Sequence, residues 1–100
     1  MSKHGMYVKF TTQTGQRDSL AQILLKAAGQ MQEVDGCELY LVNVTENEPE
    51  TIWVTEVWRD AAAHQASLTL EGAEELISQA RPLIAGIESI KLQTLGGKGI

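Results

Sequence analysis

The stretch CELYLVNVTENEPETIWVTEVW, residues 37–58, decides the fold. Its two ends, 37–45 (CELYLVNVT) and 51–58 (TIWVTEVW), are rich in β-branched and aromatic side chains, and the polar link ENEPE at 46–50 carries one of the chain's two prolines. Two such runs joined by so short a link predict an antiparallel hairpin. Working outward, residues 6–13 (MYVKFTTQ) alternate with a period of two and predict a strand, which Gly15 ends. Over residues 17–34 the apolar positions Leu20, Ile23, Leu24, Ala27, Ala28, Met31 and Val34 recur at helical spacing, so one stripe of a helix is buried. Asp35-Gly36 stops that helix, with Gly36 at a left-handed cap. Downstream, Asp60 is placed to cap a helix through AAAHQ. A break is expected near Ser67–Thr69, with Thr69 capping the continuation, and Ala73, Leu76, Ile77, Ala80, Leu83 and Ile84 make a second stripe that Gly86 ends. Residues 88–95 alternate again.

The order is β-α-β-β-α-β, an α+β chain of the ferredoxin-like split βαβ type, with a four-stranded antiparallel sheet and two helices on one face. Length and composition agree with one domain: 100 residues, 43% hydrophobic and 21% charged. The expected organisation is a flexible leader over 1–5, a single domain over 6–95 and a flexible tail (GGKGI) over 96–100. Eight Lys and Arg against 13 Asp and Glu give a net charge of −5, and the basic residues are scattered singly. No basic stripe tracks a phosphate backbone or an anionic membrane, so nucleic acid and membrane are not expected partners. No apolar run is long enough to span a bilayer, and the first ten residues do not read as a secretory signal. Cys37 is the single cysteine, which excludes an intrachain disulfide and fits a reducing, cytoplasmic setting.

Two helices cover only one face of such a sheet. Alternation puts Met6, Val8, Phe10, Cys37, Leu39, Leu41, Asn43, Ile52, Val54, Glu56, Trp58, Ile90 and Leu92 under the helices. The other face then carries Tyr7, Tyr40, Val42, Val44, Trp53 and Val57. That set is too apolar for water, so a homodimer through the open sheet face is expected. Under the helices, Glu56 and Asn43 interrupt an apolar row beside Trp58. A buried carboxylate needs a partner, and His64 and Arg81 are the side chains that can reach it from the helices. The alternative to a structural ion pair is a cavity lined by a ring, a carboxylate, an amide and an imidazole, which suits a small molecule. Tyr40 falls on the interface face in this register; a bulge at Gly36 turns it into the pocket. Cys37 has no charged sequence neighbour that activates a thiolate. His4 falls in the leader, and two widely spaced histidines do not make a metal site.

The segments GCELY (36–40), VTEVWRD (54–60) and ARPLIAG (80–86), in this order of elements, resemble the antibiotic biosynthesis monooxygenase-like family of small dimeric α+β barrel proteins, over roughly residues 6–95. The matching positions are Gly36, Cys37 and Tyr40, then Glu56, Trp58 and Asp60, then Pro82 and Leu83. The resemblance implies an oxygenase that uses O₂ on a phenolic or quinol-type compound without metal, flavin or other cofactor. Relatives that degrade haem, act on signalling molecules or have no known activity keep other readings open: a non-catalytic homodimer that binds a small molecule, or an isomerase-type enzyme. Under the leading reading His64 and Glu56 are the catalytic candidates, and Trp58, Asn43, Arg81 and Tyr40 bind substrate. Many relatives carry a histidine nine residues after the third-strand tryptophan; here that position is Ser67, and His64 stands one helical turn earlier. The helix Trp and later His of the haem-degrading branch are missing from 67–80, which argues against haem.

Overall fold

The hairpin closes as expected. In the computed structural model, which describes residues 2–100, it is formed by β2 (Cys37–Asn43) and β3 (Thr51–Trp58). Before it come β1 (Lys3–Thr12) and α1 (Arg17–Met31); after it come α2 (Ala61–Ser67), α3 (Ala73–Ala80), a 3-10 turn (Arg81–Leu83) and β4 (Ile84–Thr94). The sheet order is β2-β3-β1-β4, antiparallel throughout. This is the ferredoxin-like α+β arrangement, with the second helix split in two. The core lies between the sheet and the helices: Val8, Ile52 and Val54 from the sheet meet Leu20 and Leu24 of α1 and Ala80 of α3. Leu20, Ile52 and Val54 are fully buried, and each such side chain contributes about 1.5–3 kcal/mol relative to exposure. Arg17 ties the start of α1 to the hairpin connection by donating from Nη1 to the carbonyls of Thr45 and Glu48 (3.1 and 3.2 Å).

Several boundaries differ from the sequence reading. Lys3–Gly5, assigned to the leader, belong to β1, where Lys3 pairs with Thr94 and His4 with both Trp58 and Gln93. Polar side chains hid this start, although Lys3 holds a carboxylate of Glu38 at 2.5 Å. The first helix ends at Met31, and Gly36 does not take a left-handed backbone. Its lack of a side chain serves a close approach instead: a Cβ there would sit 2.5 Å from the Cβ of Ala63 on α2. The helix break occurs where expected, but Gly72, with φ of 88°, caps α3 in place of Thr69. Gly86 does not end a helix; the Pro82 turn does so earlier, and β4 starts at Ile84.

Two register shifts rearrange the sheet faces. Cys37 pairs with Trp58 but Leu39 with Val57, so Glu38 is an extra residue in β2. Beyond it Tyr40 and Val42 oppose Glu56 and Val54 under the helices, and Leu39, Leu41 and Asn43 face the open side. The second shift lies between Thr11 and Thr12, opposite Gly86 and Ile84. It lets Ile84 and Ile87 both face the helices, whereas Ile90 and Leu92 pair with Tyr7 and Gly5 on the open face. β2 is apolar on both sides, so its alternation leaves the phase open; β4 alternates clearly, but its apolar residues Ile90 and Leu92 lie on the open face and its polar residues Lys91 and Gln93 on the helix side.

Candidate active site

Between the sheet and the helices lies a cavity of about 440 Å³. Its walls are mainly apolar: Phe10 from β1, Ile23, Leu24 and Ala27 from α1, Leu76, Ile77 and Ala80 from α3, and Ile84 and Ile87 from β4. The polar side chains Tyr40, Glu56, Trp58, His64 and Ser67 line it too. Tyr40 is there because of the Glu38 bulge. Glu56 and Trp58 are consecutive inward residues of β3, two apart, which is how Trp58 Nε1 donates to Glu56 Oε1 at 2.9 Å. His64 is brought by α2, whose first turn is fixed by Asp60: its Oδ1 accepts from the Ala63 amide at 2.7 Å. The His64 Nε2 lies 3.8 Å from the same Glu56 Oε1, just beyond hydrogen-bond range.

The electrostatics follow from burial. Glu56 is 8% exposed, and desolvation raises its pKa, opposed by the Trp58 hydrogen bond, which favours the anion. The pKa of His64 is lowered, first by burial, then by the positive potential of His4 and of Lys91. Tyr40 is held in its protonated form by burial and by the neighbouring charges of Glu56 and Cys37. At neutral pH the cavity therefore presents a neutral imidazole able to accept a proton and a phenol able to donate a hydrogen bond. Burial is also the first cause that raises the Cys37 thiol, as expected of an inert cysteine.

Of the six side chains singled out by the sequence, Glu56, Trp58, His64, Tyr40 and Arg81 line the cavity. Arg81 stands exposed at its rim and makes no ion pair with Glu56; His64 is the helix side chain that approaches the carboxylate, at 3.8 Å. Asn43 is a correction. The β2 bulge turns it to the open face, where its Nδ2 donates to the Trp53 carbonyl at 3.2 Å, and it does not line the cavity. Ser67, where relatives carry histidine, also lines the cavity, and its hydroxyl donates to the His64 carbonyl at 2.6 Å. His4, which the sequence places in the leader, stacks its ring on His64; the pairing of Lys3–Gly5 with β4 leaves no trace in their composition.

The fold is that of a small α+β protein with a mostly apolar cavity between its sheet and its helices. The sequence model of the antibiotic biosynthesis monooxygenase family matches residues 4–79, and the chain belongs to that family. A Chloroflexus aurantiacus protein of known structure, named as a candidate antibiotic biosynthesis monooxygenase, is 38% identical, with 99% of each chain covered and a TM-score of 0.91. A Nitrosomonas europaea protein of unknown function is 25% identical over 98% of this chain and 94% of its own, with a TM-score of 0.81. A Caulobacter crescentus protein, also named as a candidate antibiotic biosynthesis monooxygenase, shares the fold at 15% identity, covering 95% of this chain and 92% of its own with a TM-score of 0.87. No curated protein matches the chain. No helix among the described residues is long and apolar enough to cross a membrane.

Proposed function

We propose that the protein is a cofactor-independent monooxygenase that oxidises a small aromatic, quinol-type compound with O₂, working as a homodimer joined through its open sheet faces. The observation that carries this reading is the apolar cavity with neutral His64 set beside Glu56 and Trp58. Its volume falls in the range of small-molecule sites, and its apolar walls suit a flat ring system. In this reading His64 accepts the phenolic proton, Glu56 stabilises the resulting imidazolium, and Tyr40 donates a hydrogen bond to the phenolate. The electron-rich anion gives one electron to O₂. The substrate radical and superoxide combine with a proton to a hydroperoxide, and loss of water from a ring CH–OOH leaves C=O. The substrate CH₂ thus becomes a carbonyl, one oxygen atom enters it, the other leaves as water, and all four electrons come from the substrate. Membership of the monooxygenase family supports this reaction type.

The decisive experiment follows O₂ uptake by the purified protein with a panel of small hydroquinones and anthrone-type phenols. Uptake that needs the protein, continues in the presence of chelators and does not need added flavin is the expected result. Saturable binding of the same compounds without O₂ uptake replaces the enzyme with a binding dimer.

A further inference from the structure

His4 and Trp58 are cross-strand partners on the helix-bearing face of the sheet. The His64 ring stacks on His4 with centroids 5.5 Å apart and planes 30° from parallel, and it lies 5.2 Å from the Trp58 ring at 54°. The three rings form one cluster at the polar end of the cavity. Within it His64, not His4, lines the cavity, whereas His4, not His64, lines a shallow open depression of about 260 Å³ together with Lys3, Asp60 and Gln93. His4 is the outer layer and His64 the inner one.

We propose that His4 is a positioning residue for the reaction: from the solvent side its ring holds the His64 imidazole over Trp58, with Nε2 directed to Glu56 and the cavity. The role in turnover rests on the reading of His64 as the proton acceptor; the positioning itself does not. The local sequence explains the need. His64 sits on a seven-residue helix whose other members are Ala61, Ala62, Ala63, Gln65, Ala66 and Ser67. Alanine methyl groups give an imidazole little to pack against, and its second torsion is intrinsically broad. The neighbours that can fix the ring therefore come from the sheet, and His4 and Trp58 are the two ring systems that reach it. Glu56 alone, 3.8 Å away, is too distant to fix the ring by a hydrogen bond. On the outer side of His64 stands His4, which lines the depression that His64 does not reach.

The test is side-chain NMR on the full chain, which contains only two histidines. In the wild type, strong NOEs are expected between the His64 ring and the Trp58 indole, with ring-current-shifted His64 resonances. In His4→Ala these NOEs weaken and the His64 shifts move toward averaged values; His4→Phe, which keeps a ring at position 4, restores both. If His4→Ala fails to fold, His4→Gln is read in the same way. Where a quinol is turned over, kcat/KM falls about 10- to 100-fold in the alanine variant and recovers with phenylalanine. Undiminished His64–Trp58 NOEs in His4→Ala overturn the proposal, as does a failure of His4→Phe to restore them. Absence of O₂ uptake in the wild type removes the monooxygenase reading but does not alter the NMR outcome, so the two ideas fail separately.

Discussion

His64 and Glu56 are shifted along the pH axis in opposite directions by the same cause, burial. For His64 the folded value lies below the unfolded value of about 6.5, so the unfolded chain binds more protons between them. Its contribution favours the folded state above pH 6.5 and is lost as pH falls through the lowered value. If His64 is the base, kcat/KM rises with pH through a midpoint below 6.5 and then levels, and His64→Ala abolishes turnover. An oxygen electrode reads both, and unchanged turnover in the alanine variant removes His64 from the mechanism. Glu56 behaves oppositely. Its folded value lies above the unfolded one, so its ionisation weakens the fold as pH rises from about 4.5 through the raised value. Glu56→Gln keeps an acceptor for Trp58 Nε1 and removes that charge. The variant's melting temperature relative to wild type is therefore expected to increase between pH 4 and pH 8 in thermal scans; a constant difference contradicts it.

At the scale of elements, the placement of α2 depends on Gly36. The bulge that follows it brings Tyr40 to the cavity, its carbonyl accepts from the Arg59 amide at 2.8 Å, and its missing side chain admits Ala63. Gly36→Ala is expected to cost about 1–3 kcal/mol in chemical denaturation, the range for forced overpacking, and to displace His64. Ala63→Gly in the same chain recovers most of that loss; no recovery shows that the contact is not the cause. This junction also marks what the sequence could and could not reveal. Element order was legible because Leu20, Leu24, Val54 and Trp58 sit at unambiguous periods. Glu56, Trp58 and His64 were legible as neighbours because a carboxylate in an apolar row demands a partner. The phase of β2 was not, since Leu39 and Leu41 are as apolar as Tyr40 and Val42, and an inserted residue such as Glu38 leaves no periodic trace. Asn43 was misplaced for that reason. In β4 the alternation was plain, but its apolar side, Ile90 and Leu92, is the open face and not the helix face. His4 was lost because a strand start made of Lys3, His4 and Gly5 has no hydrophobic signature and is defined by its pairing with distant partners.

For the whole molecule, the bulges change which residues make the open sheet face but not its character. In place of the expected Tyr40 and Val42, that face carries Leu41, Ile90 and Leu92, which are 48%, 58% and 46% exposed, beside Tyr7 and Leu39. Trp53 is there as expected, stacked on Tyr7 with centroids 5.2 Å apart, with the Lys9 ammonium 5.3 Å from its ring centre. A single chain cannot cover this patch, because its helices are all on the other side. Contiguous exposed apolar surface of this kind favours self-association of matching faces around a two-fold axis. The chain is expected to sediment at twice its 10.9 kDa mass at micromolar concentration. Ile90→Glu sets two carboxylates into the joined faces without touching the core, and Leu41→Glu does the same from the opposite edge. Both variants are expected to run as folded monomers with wild-type far-UV circular dichroism. The cavity is built from residues of one chain, so ligand binding should survive in those monomers. A wild-type protein that sediments as a monomer excludes the sheet-to-sheet dimer, and dimeric glutamate variants place the contact elsewhere on the surface.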